Sequence, residues 1–370
     1  MKNPQNFLPP HKSNLVGFFA SESDSLKYCP FRFEFEGNWK QRPVKNISAC
    51  VLTAFMALAM MPVKVAFSQQ IVVGAWNIEW LGFADKRGKP GKDVVQSPKD
   101  LSDYIAQCKV DVLALEEIGV DENSEPFRSK PLDQVFDQLK ENHNQTWQYV
   151  LFPKANYDEG TEDFIVRGQH TGLAWCTSKA TMVGEPFRVP VGENQTYGIK
   201  FWERGANAVK LSFGSGKSDV VFIPIHLKSN RNDVDKSDKK FTEKQRLAEV
   251  EAFVANLPSL KEHFKDDDIV ILGDSNFLAP EDGSPKVLAE AGFTDLNSQD
   301  VGTTAAWGQG YSSAPFDRIF VSSQQPEFAK SSQTVHKTKN GTDNEIRDYK
   351  KRFSDHYLVS CVIEIGNDDD

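Results

Sequence analysis

The sequence predicts an α/β fold with mixed strand connections. Three observations predict it: short apolar, β-rich runs recur along the chain, patterns of helical period lie between some of them, and neither an internal repeat nor a Pro/Gly-rich linker divides the chain. With 370 residues, 39% apolar and 11% aromatic, there is ample material for a sizeable core in one large domain or two.

In chain order the predicted strands are Ile71 to Ile78, a run ending at Glu116 and Glu117, Trp147 to Phe152, Gly172 to Cys176, Ala206 to Phe213, Asp219 to His226, Ile269 to Leu272, Phe316 to Val321 and Tyr357 to Ile365. Predicted helices cover Lys99 to Cys108, Asp133 to Asn142, Glu243 to Leu257 and Lys286 to Gly292. The third is the clearest, because Leu247, Val250, Phe253, Val254 and Leu257 recur at helical spacing. The polar segment 229–245 reads as a loop feeding that helix, and the acidic end "GNDDD" as a solvated tail.

Ahead of the first strand, Lys45 precedes an apolar run from Ile47 to Met61, and Ala66 and Ser68 place small residues at −3 and −1 of a cut before Gln69. That is the shape of a secretory signal peptide. The run, about 15 residues, is short for a spanning helix, which needs about 20. The expected organisation is therefore an N-terminal extension over 1–43 that is no part of the mature protein, a signal peptide over 44–68, and a single domain over 69–370. Secreted or periplasmic location, with no stable membrane insertion after cleavage, follows as an expectation. Of five cysteines, Cys108, Cys176 and Cys361 survive that cut; they sit in or beside apolar runs, so disulfides are not expected to hold the fold. No Cys/His spacing suits zinc.

The net charge of −9 is uneven: residues 69–370 carry 35 Lys/Arg against 48 Asp/Glu, a net of −13. A polyanionic partner must then be held by a local basic cleft or a bound cation rather than by a global field.

The predicted strands end in polar residues. "VVGAWNIEWLG" ends on Asn77 and Glu79, "DVLALEEIG" on Glu116 and Glu117, "VVFIPIHLKS" on His226, and "ILGDSNF" on Asp274 and Asn276; "APFDRIFVS" brings Asp317 and "RFSDHYLVS" brings Asp355 and His356. Residues i and i+2 of an extended chain share a face, so Asp274 and Asn276 are expected to project side by side. Taken alone, Gly-Asp-x-Asn reads first as a turn in which Asp and Asn cap their own backbone. Taken together, the strand ends suggest one shared site at the rim where open α/β sheets bind ligands. Carboxylates, amides and two histidines, without a nucleophilic cysteine or Gly-x-Ser-x-Gly, suit Mg²⁺, with Ca²⁺ or Mn²⁺ as alternatives. In-line displacement at phosphorus asks for such a set.

The ordered segments "WNIEWLG", "DVLALEEI", "ERGANAVKLSF", "IHLKS", "GDSNF", "FDRIF" and "SDHYLV" resemble the motif set of the endonuclease/exonuclease/phosphatase superfamily, and within it the secreted DNase I-like nucleases, over residues 71–365. The resemblance implies a four-layer sandwich of two packed mixed β-sheets flanked by helices, with a metal-dependent phosphodiesterase site at one edge. By position it makes Glu117 the metal-binding carboxylate, with Asn77 beside it and Asp355 completing the acidic surroundings. Asp274 would orient or deprotonate water and Asn276 would hold the phosphate. Asp317 would orient His356, His226 would contact the phosphate or protonate the leaving oxygen, and Arg204 would grip a phosphate. Thr304, in the loop before Asp317, would touch substrate.

Two departures stand out. The family has Gln before the metal-binding Glu, where this chain has Glu116, which adds negative charge or faces away without a role. Secreted DNases partner the first His with a Glu, where this chain offers Gln169-His170. The expected activity is hydrolysis of DNA, with RNA as a further substrate, by a monomeric, Mg²⁺-dependent endonuclease. A lipid head-group or small-ester phosphodiesterase of the same fold is the alternative, with Tyr197, Phe201 and Trp202 as a membrane-touching loop; a catalytically dead binding module is the alternative of another class.

Overall fold

In the computed structural model the described residues are 69–82, 96–121, 127–152, 169–189, 193–194, 199–200, 204, 206–231, 237–238, 240–278, 282–306 and 312–368. All lie in one compact unit, Val65–Asp370. The expected extension and signal peptide and the aromatic residues Tyr197, Phe201 and Trp202 lie outside the described residues.

Two six-stranded sheets form the centre. The first runs β13 (Thr334–Val335), β14 (Val359–Ile365), β1 (Gln69–Leu81), β2 (Val112–Ile118), β4 (His170–Cys176), β3 (Trp147–Leu151). The second runs β11 (Phe293–Asp295), β12 (Asp317–Ser322), β10 (Ile269–Asp274), β9 (Asp219–His226), β8 (Asn207–Ser212), β5 (Thr181–Arg188). Strands β6 (Glu193–Asn194) and β7 (Ile199–Lys200) pair separately. Both sheets are mixed: β1 pairs parallel with β2 but antiparallel with β14, and β10 pairs parallel with β9 but antiparallel with β12.

Side-chain parity explains the layering. Along β1, Ile71, Val73 and Ala75 belong to a core shared with Val220 and Phe222 of β9, Val270 and Leu272 of β10, and Ile319 and Val321 of β12. Alternation sends the other row outward. Trp76, Leu113 and Leu115 pack against α1 (Pro98–Cys108) and α2 (Lys130–His143) through Leu101, Ile105, Val135 and Leu139. On the far side Val221, Ile223, Ile269 and Ile271 pack against α3 (Phe241–Phe264) and α4 (Ser284–Glu290) through Val250, Phe253, Leu260 and Leu288. Helices, sheet, sheet and helices make the four-layer sandwich that the motif resemblance implied. Both faces of each sheet are covered, which is why the strands read as nearly continuous apolar runs.

The helices differ from expectation at their ends. α3 continues through Pro258 to Phe264 rather than stopping at Leu257, because Leu260 and Phe264 still have sheet to cover. α5 (Asp343–Arg352) has no apolar stripe that periodicity would find; a Thr342/Glu345 capping box starts it and Tyr349 is its one buried residue. Among the described residues no helix is long and apolar enough to cross a membrane.

Candidate active site

At one end of the sandwich the inter-sheet rows run out of apolar residues and end in polar ones. The row Ile71, Val73, Ala75 on β1 continues to Asn77; Val112 and Ala114 on β2 continue to Glu116; Val220 and Phe222 on β9 continue to His226; Val270 and Leu272 on β10 continue to Asp274; and Val321 and Ile319 on β12 lead back to Asp317. Strand register levels them: Asp274 is paired with His226 on one side and Asp317 on the other. The site is thus the polar cap of the central core, and all five of these residues are almost wholly buried.

Parity alone would turn Glu117 toward the helices. Instead its backbone adopts φ +59°, which breaks the alternation and returns its carboxylate to the site. The Asn77 amide donates to Glu117 Oε1 and to Asp274 Oδ2, both at 3.2 Å, drawing the two carboxylates together. The other Glu117 oxygen is buried without a hydrogen-bond partner. Burial first, then the charge of Asp355, pushes the Glu117 carboxyl up to about 7.

The second half of the site is an imidazole-carboxylate pair. His356 Nδ1–H donates to Asp317 at 2.9 Å, and Thr303 Oγ1 donates to the same carboxylate at 2.6 Å. His356 Nε2 lies 3.9 Å from both Asp274 Oδ2 and Asp355 Oδ1. Burial disfavours the imidazolium, but the carboxylates of Asp317 and Asp274 outweigh it and raise the His356 pKa well above the ordinary value. The backbone of His356 is fixed as well: Trp76 Nε1 and the Tyr349 hydroxyl donate to its carbonyl at 3.1 and 2.8 Å. Asp274 is pushed up by burial to about 6.

His226 Nε2 sits 3.4 Å from Asp274 Oδ2 and 4.0 Å from Glu117 Oε1, while its Nδ1 is buried without a hydrogen-bond partner. Burial, together with the charges of Arg204 and His356, holds this histidine well below its ordinary pKa. Neither neighbour in "QHTGLAW" supplies the expected partner. Gln169 Oε1 accepts from Arg204 Nη2 at 2.5 Å, and His170 Nδ1 lies 2.9 Å from the Phe152 carbonyl.

Asn276 reaches the site by a turn, not by the strand alternation expected for it. β10 ends at Asp274, Asn276 has φ +54°, and its N–H donates to Asp274 Oδ1 at 3.0 Å, so Gly-Asp-x-Asn does form the turn that caps its own backbone. Its side-chain amide donates to the Leu227 carbonyl at 3.3 Å, the same carbonyl that accepts from Arg204 Nη1 at 3.4 Å. Thr304 forms a β-bridge with His356, and its hydroxyl accepts from Ala314 N–H at 2.8 Å. Asp355 stands at the open edge, its N–H donating to Glu79 Oε2 at 3.1 Å and its carboxylate 3.8 Å from Lys350 Nζ. A cavity of about 540 Å³ opens beside His356, lined among others by Thr304, Ala305, Ala314 and Phe316.

Glu116 corrects one expectation. It does not face away: it is wholly buried between the sheets, with neither oxygen hydrogen-bonded, against Gly273 and near Asp317 and Asp274. Burial, reinforced by those two carboxylates, raises its pKa well above the ordinary carboxylate value and so favours the neutral acid. A neutral carboxylic acid has nearly the shape of the glutamine that the motif set has there.

No family model matches the chain, and no curated protein matches it. Solved structures do. The chain is similar to the endonuclease/exonuclease/phosphatase from Bacteroides vulgatus, at 13% identity over 80% of this chain and 99% of that one with a TM-score of 0.50. It is similar to the human nocturnin catalytic domain at 17% identity over 81% and 96% of the two chains, also with a TM-score of 0.50. The chain has the endonuclease/exonuclease/phosphatase fold. TDP2 from C. elegans overlaps it more loosely, at 15% identity, 86% and 82% coverage and a TM-score of 0.48.

Within that fold the polar cap offers two donor sets for a cation. Asp274, Asp317 and His356 place ligand atoms within 4.8 Å of one another. However, Asp317 and the His356 Nδ1 are already committed to each other and to Thr303. Glu117 with Asp274 is the better fit. Asp274, buried, and Glu117, half-buried, share the Asn77 amide there, one Glu117 oxygen lacks a partner, and a hard divalent cation would offset the loss of solvation that raises both pKa values. Thr303 holds Asp317 and Gln169 holds Arg204, two roles the sequence did not show: Gln169 stood there only as a partner offered to His226.

Proposed function

We propose that this protein is a secreted, divalent-metal-dependent nuclease that hydrolyses phosphodiester bonds of DNA, with RNA as a further substrate, by in-line attack of water. The observation that carries the reading is the meeting, at one buried rim, of the Glu117–Asn77–Asp274 carboxylate set with the Asp317–His356 pair. Glu117 and Asp274, with Asn77 and the nearby Asp355, would hold the cation, most simply Mg²⁺, which supplies charge neutralisation at the phosphoryl oxygens.

The chain's own groups divide the remaining work. Asp274, poised near 6, orients water and accepts its proton. His356, whose neighbouring carboxylates favour its charged form and whose Nδ1–H is committed to Asp317, would offer Nε2–H to a phosphoryl oxygen as negative charge grows there. Asn276 and Arg204, both tied to the Leu227 carbonyl, hold the phosphate from the other side. His226, kept neutral, contacts the phosphate rather than carrying a proton to the leaving oxygen. The cavity beside His356 gives room for the groups flanking the phosphate.

The test is an assay of the purified protein on supercoiled plasmid, linear DNA, RNA and a sphingomyelin analogue, with Mg²⁺ or with EDTA. Nicking of plasmid that EDTA abolishes is the expected result. Plasmid left supercoiled with every divalent ion, alongside cleavage of the lipid analogue, would replace the nuclease by the lipid phosphodiesterase. Export is tested separately: the mature protein's N-terminal sequence is expected to begin within a few residues of Gln69, and a product retaining Met1 would end that part of the reading.

A further inference from the structure

The turn after β9 is gripped from outside by charged residues that the chemistry above does not use. Helix α3 buries Arg246 and Glu249 at 0% and 2% exposure, three residues apart and so on one side of the helix. Glu249 Oε2 accepts from the backbone N–H of Lys228 at 3.0 Å, and Arg246 Nη1 donates to the Lys228 carbonyl at 3.1 Å. Both polar groups of one peptide residue are therefore held by side chains of opposite charge. Arg246 is held in turn by Asp282, its Nε donating to Oδ2 at 3.0 Å, and Asp282 Oδ1 accepts from the Ser284 N–H at 3.0 Å at the start of α4.

The neighbour of Lys228 is the carbonyl on which the site depends. Leu227 accepts from Asn276 and from Arg204, its own N–H donates to the Asp274 carbonyl at 3.0 Å, and Asn230 Nδ2 donates to the Asn276 carbonyl at 3.0 Å. A shift of Lys228 would move the Leu227 carbonyl, and with it both groups assigned to the phosphate. Buried charges are costly when a partner is removed and seldom improve stability over apolar residues of similar size. Here apolar residues could fill the space but could not hold the Lys228 peptide.

We infer that Glu249 and Arg246 are positioning residues, which act through the Lys228 backbone to fix the Leu227 carbonyl and thereby set the phosphate-binding geometry of Asn276 and Arg204. This rests on the phosphodiesterase reading, since positioning has meaning only for that site. Misplacement of catalytic groups by about 1 Å costs on the order of 100-fold in rate.

The experiment compares Glu249→Leu, which removes the acceptor, with Glu249→Gln, which keeps an oxygen for the Lys228 N–H. Hydrolysis of bis-p-nitrophenyl phosphate is measured alongside hydrogen–deuterium exchange of the intact protein. Glu249→Leu is expected to lower kcat/KM at least about 30-fold and to speed exchange over 227–230 while β10 stays protected; Glu249→Gln should remain within about 3-fold of wild type with slow exchange. Should Glu249→Leu not fold, Glu249→Asp, one methylene too short to reach, is read in the same way. Unchanged exchange over 227–230 overturns the inference, and so does faster exchange there with undiminished turnover. A wild type that hydrolyses no phosphodiester instead fails the parent reading, and the exchange arm still reports whether Glu249 holds the turn.

Discussion

The Asp317–His356 pair is the sharpest single feature of the site, because one hydrogen bond fixes both the tautomer and the charge of the imidazole. Asp317→Asn would leave the shape and remove the charge, and His356→Ala would remove the ring. Each is expected to lower kcat by roughly 100-fold or more, and the double variant to be little worse than the worse single, as for groups that act as a unit. Steady-state kinetics of the three variants checks this; additive losses would assign them separate roles. The two carboxylates of the other set give a pH dependence. Asp274 and Glu117 must be ionised to work, and burial has raised them to about 6 and about 7, so activity should rise with pH through that window. A divalent cation favours the ionised forms, so raising its concentration should move the limb to lower pH. Stability of the cation-free protein runs the opposite way. With folded values above the ordinary 3.8 and 4.5, the native state holds these protons more tightly than the unfolded chain. Stability therefore declines as pH rises from about 4 through about 7, which urea unfolding in EDTA at several pH values would record.

At the scale of the element, β10 shows how closely the two sheets approach beneath the site. Gly273 has φ +137°, and a Cβ there would lie 2.2 Å from the Ile225 carbonyl oxygen of β9 and 2.7 Å from Glu116 Oε1 of the opposite sheet. Gly273→Ala therefore combines a backbone conformation that L side chains rarely adopt with a clash against main chain that cannot rotate away. It is expected to cost about 3 kcal/mol or more, read as a lower urea midpoint with an unchanged slope. Activity should fall with it, since Asp274 follows directly. By contrast the Glu117 backbone spends its strain on the site: φ +59° in a non-glycine residue turns a side chain that parity assigns to the helices into the rim.

Taken whole, the molecule is an acidic protein proposed to act on a polyanion. Residues 69–370 carry a net charge of −13, so long-range steering opposes DNA, and binding must come from a few local contacts. Affinity for DNA in EDTA is expected to fall with salt on a shallow slope, because each phosphate contact contributes slightly less than one unit to it. Arg204→Ala should weaken binding and flatten that slope further. Fluorescence anisotropy of a labelled oligonucleotide over a salt series measures both. A steep slope would mean a basic surface that the net charge conceals.

The sequence by itself determined the central strands, because they are covered on both faces and so read as apolar runs. It also determined which residue types end those runs, since only a rim tolerates Asn77, His226, Asp274 and Asp317 at the tips of core strands. Seven short segments in one order were enough to resemble the superfamily whose fold the structure has. Elements with weak periodicity were less legible: β5 has no buried residue and α5 carries one, so neither leaves an apolar pattern. Tertiary structure alone decided what depends on contacts between distant segments. It put Glu116 between the sheets, where burial raises its pKa, and turned Glu117 into the site by one backbone angle. It gave Gln169 to Arg204 instead of His226, and it tied the Leu227 carbonyl, through Lys228, to charges on α3. Alternation is a local property that a sequence displays directly. A pKa, a hydrogen-bond partner or a break in alternation is set by whatever the rest of the fold brings alongside.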